Sequence, residues 1–316
     1  MSYKKILSID GGGIKGIFVA QFLTDIEEEY KVKICNYFDI IAGTSTGAII
    51  AAALALEISA KEILELYTQN ANLIFKGYSE IFIFKKILTL RGLLNYRYSN
   101  KNLKEVLLKV FSDKKVGDCK TRLLIPAFNV RTHNIEVFKT SHHKDYIRDY
   151  REDIVNVLLA TTAAPTYFPV YDFKGRGQYI DGGIGANNPG MIAVIESIAN
   201  CGWNQDELKL LSFGCLGELN TGKRKFKGIG DIIQAFMKAE TLYSENIAKL
   251  LLNNKENYIR INPTLEKEQV YLDNISDEAI NTLIIFARDE SKKYMADIHR
   301  IFFDIKKEDF IPIHKC

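Results

Sequence analysis

The chain has 316 residues, enough to bury a full hydrophobic core as one large domain or as a core with a smaller cap. Its 47% hydrophobic and 26% charged residues exclude a disordered or low-complexity chain, and a net charge of +3 is too small to imply a DNA or RNA polymer as partner. The five cysteines (Cys35, Cys119, Cys201, Cys215, Cys316) lack metal-ligand spacing and are odd in number, which suits a reducing cytoplasm and argues against a bound metal.

Lys4-Lys5 is followed by only a few apolar residues before Asp10, too few for a secretory leader. Lys5 to Ile9 reads as a buried strand and Ile14 to Tyr30 as a helix, with Asp10-Gly11-Gly12-Gly13-Ile14-Lys15-Gly16 as the turn between them. Phe38 to Ala42 reads as the next strand and Ala48 to Glu57 as the next helix, flanking Gly43-Thr44-Ser45-Thr46-Gly47. The uncharged run Ile40 to Leu56 approaches membrane-spanning length, but the turn inside it would leave backbone groups unpaired in lipid. It is therefore a buried strand and helix. Two strand-turn-helix units in succession put both turns at the carboxyl ends of parallel strands, on one edge of a sheet.

Residues 71–111 admit two readings. Ile74-Phe75 and the lysine-flanked stretch Ile81-Phe82-Ile83-Phe84-Lys85-Lys86-Ile87-Leu88 suit a core element under a loop, or an apolar, basic-rimmed lip touching a membrane. Farther on, Arg122 to Val130 is a strong strand with Asn134 to Phe138 as its partner, and Asp153 to Ala160 is a short helix ending before Pro165. Gln178-Tyr179-Ile180 leads into Asp181-Gly182-Gly183, Met191 to Asn200 is a helix, and Leu208 to Phe213 is another buried strand. This alternation over residues 1–215 predicts an α/β sheet with helices on both faces. Residues 216–316 read as a mainly helical extension, with periodic stretches at Asp231 to Leu252 and Asp277 to Asp304. Packing on the core is its plain role; capping the site and joining copies into a homo-oligomer are the alternatives. Lys223-Arg224-Lys225-Phe226-Lys227 reads as a solvated loop, or as a contact for phosphates and anionic headgroups.

The chemistry centres on the second turn. A serine hydroxyl is a weak nucleophile unless a sharp strand-to-helix turn exposes and orients it, and Gly43 and Gly47 flank Ser45 as such a turn needs. The bland alternative is a small-residue turn with a helix-capping hydroxyl. A serine nucleophile usually has a histidine base, yet His133, His142, His143, His299 and His314 fall in turns, polar loops or near the C-terminus and read as surface residues. Asp181 is the better base, because Gly182 and Gly183 let the backbone turn while the carboxylate points across the strand ends. Taken alone, that Asp-Gly-Gly would be a simple turn. Gly11, Gly12 and Gly13, at the start of the first helix, leave backbone N–H groups to form an oxyanion hole. The same loop fits a Gly-x-Gly-x-x-Gly dinucleotide cradle, but Asp10 would then place a carboxylate beside the pyrophosphate, and Lys15 before Gly16 does not make a phosphate-binding P-loop.

Together Asp10 to Gly16, Gly43 to Gly47 and Asp181 to Gly183 resemble the patatin-like phospholipases, with support from Ala160 to Pro169 and Gly185-Ala186-Asn187-Asn188-Pro189. The resemblance spans about residues 4 to 215. It implies a three-layer α/β/α fold with a mostly parallel central sheet and a helical C-terminal region. It also implies a Ser45–Asp181 dyad, an oxyanion hole in the glycine loop, and hydrolysis of acyl esters of membrane phospholipids without cofactor or metal. Lys15 stands where many relatives have arginine, and Ser212-Phe213-Gly214-Cys215 departs from the family's usual Gly-Thr-Gly. The N-terminal run also looks like a bacterial subset in which a cyclic oligonucleotide activates the enzyme against the cell's own inner membrane during antiviral defence. A housekeeping lipid hydrolase is the competing role.

Overall fold

The computed structural model describes residues 3–75, 96–217, 229–253, 255–265 and 271–315. The stretches Ile81 to Leu88 and Lys223 to Lys227 lie outside the described residues.

Strand β1 (Lys4–Ile9) is followed by a short 3-10 turn (Gly13–Lys15) that runs into α1 (Gly16–Tyr30). Next come β2 (Ile40–Gly43), α2 (Thr46–Ala55) and α3 (Ala60–Ile74). Every residue of α2 is buried, so the uncharged run beginning at Ile40 is an internal strand, turn and helix. No helix among the described residues is long and apolar enough to cross a membrane. The chain continues through α4 (Asn100–Phe111), β3 (Arg122–Asn129), β4 (Asn134–Lys139), α5 (Ile154–Thr161), β5 (Tyr171–Phe173) and β6 (Gly177–Asp181). It ends with α6 (Gly183–Ala186), α7 (Gly190–Ala199), β7 (Leu208–Phe213), α8 (Ile229–Leu252), β8 (Tyr258–Ile261) and α9 (Asp277–Phe302).

The sheet runs β5-β6-β3-β2-β1-β7-β8, with β4 also on β3. Strands β3, β2, β1, β7 and β8 pair in parallel, while β4, β5 and β6 enter through antiparallel pairings, so the sheet is mixed. Alternate residues feed two cores. Leu7, Ile9, Ile41, Leu123, Leu211 and Phe213 pack with α1, α2, α3 and α9; Ile6, Ile40, Leu124 and Leu210 pack under Val194 of α7 and Ala248 and Leu252 of α8. Helices on both faces of a sheet make three layers.

Strand β8 departs from the helical reading of the C-terminal region. Four residues with Arg260 among them give too short and too polar a signal for a strand, yet β8 pairs in register with β7. Helix α9 packs on α1, with Phe286 5.8 Å from Phe18, and stacks Phe302 on Phe38. Residues after 215 are thus built into the same sheet and cores.

The edge of β3 decides the rest. Leu124 pairs with both Lys139 of β4 and Ala42 of β2, and Ala127 pairs with both Glu136 of β4 and Asp181 of β6. Since β4 occupies one edge, β2 and β6 must share the other. Strand β2 runs parallel to β3 and β6 antiparallel, so their carboxyl ends meet head to head beside Pro126. A residue without an N–H fits a break in the ladder.

Candidate active site

That head-to-head meeting brings together two side chains 136 positions apart in sequence. Ser45 Oγ donates a hydrogen bond of 2.6 Å to Asp181 Oδ2, and the other carboxylate oxygen accepts the Gly183 N–H at 2.7 Å. Burial pushes the Asp181 carboxyl up to about 6, against the downward pull of those two hydrogen bonds. It is therefore a carboxylate at neutral pH, and a far better proton acceptor than an exposed one.

Ser45 has φ 55° and ψ −121°, a conformation that costs a non-glycine residue roughly 1–3 kcal/mol. The elbow around it is tight. A Cβ on Gly43 would lie 2.2 Å from the Gly47 carbonyl oxygen, and one on Gly47 would lie 2.3 Å from that of Ile9, so only glycine fits either position. Thr161 fills the break between β2 and β6. Its hydroxyl donates to the Pro126 carbonyl at 2.7 Å and accepts the Ser45 N–H at 3.0 Å, while its own carbonyl accepts the Gly182 N–H at 3.3 Å.

The first glycine turn lies against the same pocket, but its three glycines differ. The N–H groups of Gly12 and Gly13 have no acceptor among the described residues, and both residues line the pocket beside Ser45. Gly11 does not serve as expected: its N–H bonds the Asn187 carbonyl at 3.1 Å, which makes it an anchor for the loop. Lys15 lies in the short turn before α1, and Gly16 starts that helix against Thr46.

Asp10 sits under this loop in a buried bidentate pair with Arg260, at 2.9 and 2.5 Å; Arg260 also donates to Ser212 Oγ at 2.7 Å. Burial opposes both charges and pushes the Asp10 carboxyl up against the pull of Arg260, while the facing carboxylate holds the Arg260 pKa above its ordinary value. Cys215 Sγ donates to the Asp10 carbonyl at 3.3 Å, and its side chain fills the space a Cβ on Gly12 would need. The Ser212-to-Cys215 segment, to which the sequence assigned no role, thus backs the glycine loop.

Among the histidines, His142 is not a surface residue. It is buried, with Nε2 3.0 Å from Glu196 and Nδ1 3.0 Å from Thr140 Oγ1. It follows β4, near the Leu124 end of β3 and away from Asp181. Its partners and burial make it part of the packing.

Sequence reasoning missed Arg260 and had placed Thr161 only in a supporting segment. A lone arginine among the apolar residues of Tyr258-Ile259-Arg260-Ile261 was the available signal for the first. For Thr161 there was none, because its role exists only at the break beside Pro126.

Ser45 and Asp181 form part of the wall of an otherwise apolar pocket. Ile49, Tyr67, Leu103, Phe168, Ile233 and Met237 are among the residues that line it. Its cavity volume is about 90 Å³.

The sequence profile of the patatin-like phospholipases matches residues 7–194. A cGAMP-activated phospholipase of Pseudomonas aeruginosa is 32% identical over 88% of this chain and 85% of its own length. Another of that description, from Vibrio cholerae, is 31% identical over 88% of each chain. The crystal structure of VipD from Legionella pneumophila covers 94% of this chain and 67% of its own, with a TM-score of 0.50 and 15% identity; this likeness is one of fold alone. With the profile spanning the β1 turn, the serine elbow and the Asp-Gly-Gly turn, the chain belongs to the patatin-like phospholipase family, hydrolases that act on carboxylic ester bonds.

Proposed function

We propose that this protein is a phospholipase A-type serine hydrolase that cleaves acyl esters of membrane phospholipids through a Ser45–Asp181 dyad. The observation that carries the reading is the 2.6 Å hydrogen bond between the two residues at the wall of an apolar pocket. Asp181 takes the hydroxyl proton as Ser45 Oγ attacks the ester carbon, and the carbonyl electron pair moves onto oxygen. The Gly12 and Gly13 N–H groups receive that oxyanion. Collapse restores the carbonyl and expels the lysolipid oxygen, which takes its proton from Asp181. Water then gives a proton to Asp181 and attacks the acyl-enzyme. Departure of Ser45 Oγ, reprotonated by Asp181, releases the fatty acid.

A fluorophosphonate should label Ser45 stoichiometrically, and fatty acid should be released from phospholipid vesicles. Ser45→Ala should abolish both while the protein stays folded. Activity that survives in this variant would overturn the dyad. A stoichiometrically bound dinucleotide with no ester cleavage would restore the cofactor-cradle reading.

Relatives described as cGAMP-activated support a second layer, in which a cyclic oligonucleotide switches the enzyme on at the cytoplasmic face of the inner membrane as antiviral defence. Incubation with a panel of cyclic di- and trinucleotides should raise vesicle hydrolysis about 5- to 150-fold above basal, the range of a coupling of about 1–3 kcal/mol. If none binds or activates, a housekeeping lipid hydrolase is the better description.

A further inference from the structure

Glu240 is a half-buried carboxylic acid outside the dyad, on the face of α8 turned toward Asn188. Its Oε2 accepts the Asn188 N–H at 3.0 Å. The carbonyl of that same peptide unit, Asn187 C=O, accepts the Gly11 N–H at 3.1 Å. One peptide therefore links the carboxylate of α8 to the glycine loop, through two hydrogen bonds that polarise each other.

The neighbouring side chains of α8 grip the same turn. Thr241 Oγ1 accepts Asn187 Nδ2–H at 3.0 Å, and Ser244 Oγ donates to the Asn188 carbonyl at 2.7 Å. From the other side, Thr44 Oγ1 donates to the Ala186 carbonyl at 2.6 Å. The turn at 186–188 is thus tied to both functional loops, to the elbow through Thr44 and to the glycine loop through Gly11. The other half of α8 lines the pocket with Ile233, Gln234 and Met237.

We infer that Glu240 is a positioning residue for acyl transfer, which acts through the 187–188 peptide to hold Gly11 and thereby aim the N–H groups of Gly12 and Gly13. This inference rests on the proposed role of the glycine loop. A small displacement of such donors costs rate in the transition state without altering ground-state binding. The position also carries a titration. Burial pushes the Glu240 carboxyl up to about 7, the Asn188 N–H pulls it down, and the charges facing it from β1 and β8 oppose each other, Asp10 raising and Arg260 lowering. Ionised Glu240 is the stronger acceptor, so the loop is held best above that pH.

The test uses the full chain, a soluble short-chain ester and a pH series. Glu240→Ala should lower kcat at least about tenfold with KM within about twofold, the pattern of an interaction made only in the transition state. Glu240→Gln keeps an acceptor, so it should recover most of kcat but lose the ionisation near 7, leaving the acid limb set by Asp181. Two results would overturn the inference: kcat unchanged in Glu240→Ala, or a pH profile of Glu240→Gln identical to that of the unmodified enzyme. Ser45→Ala run alongside separates the readings. If it is inactive and Glu240→Ala is fully active, only the positioning role falls.

Discussion

Asp181→Asn should abolish fatty-acid release and at the same time make the protein more stable. The loss of rate follows from removal of the proposed base, worth roughly 10²–10⁴-fold. The gain in stability follows from the sign of the pKa shift. Asp181 has its carboxyl raised from 3.8 to about 6 by burial, so the fold favours the protonated form. The stability contributed by that preference is complete below 3.8 and is lost as pH rises through about 6. At neutral pH and above the native state holds an ionised, buried carboxylate at a cost of ~3 kcal/mol relative to a neutral group, from a shift of about two units.

Asparagine carries no such charge. Its oxygen can accept the Gly183 N–H, and its amide can donate to Ser45 Oγ, so both hydrogen-bonding positions stay filled. Urea unfolding should therefore show Asp181→Asn to be more stable by up to ~3 kcal/mol at about pH 8 and indistinguishable from the parent near pH 3. For the parent enzyme, activity should rise with pH through about 6 as the base ionises. A variant that is less stable at alkaline pH, or that still turns over phospholipid, would contradict this account of Asp181.

Arg260→Met should be among the most damaging substitutions away from the dyad. It leaves Asp10 buried without a partner, and removing one member of a buried ion pair costs about 3–5 kcal/mol. The damage should reach catalysis as well, because the Asp10 carbonyl holds Cys215 and its chain continues directly into Gly11 and Gly12. Replacing both charges, in Asp10→Asn with Arg260→Met, should return most of the stability, since apolar or neutral substitutes for a whole buried pair are often tolerated. Urea midpoints of the two single variants and the double variant test the coupling. Additive losses would show that the pair is not the unit holding the loop.

Much of the protein was legible before any geometry. Strands β1, β2, β3, β4 and β7 and helices α1, α2, α5, α7, α8 and α9 carry hydrophobic periods or glycine punctuation strong enough to read locally, and of β6 the apolar lead into Asp181 was visible. The amphipathic helix α4 lies inside the ambiguous stretch 71–111, and α3, which runs into the start of that stretch, was given no reading. Strands β5 and β8 were missed because three or four residues hold too little pattern to stand out. His142 was misread for a related reason. A histidine in a polar loop looks exposed until Glu196, on a distant helix, is seen to accept its ring.

By itself the sequence determined what is encoded in contiguous residues. It supplied the glycine elbow around Ser45, the Asp-Gly-Gly turn, the glycine loop, and helices on both faces of a sheet. Residue type and short spacing are enough for these, because a turn closes within a few bonds. The tertiary structure decided the relations between those parts. Strands β2 and β6 share one edge of β3, and this alone brings Ser45 within 2.6 Å of Asp181. The Asn187 carbonyl turns Gly11 from a donor into an anchor, and β8 delivers Arg260 beneath Asp10 from 250 residues away. Such contacts depend on register and on the packing of distant segments, which no local pattern contains.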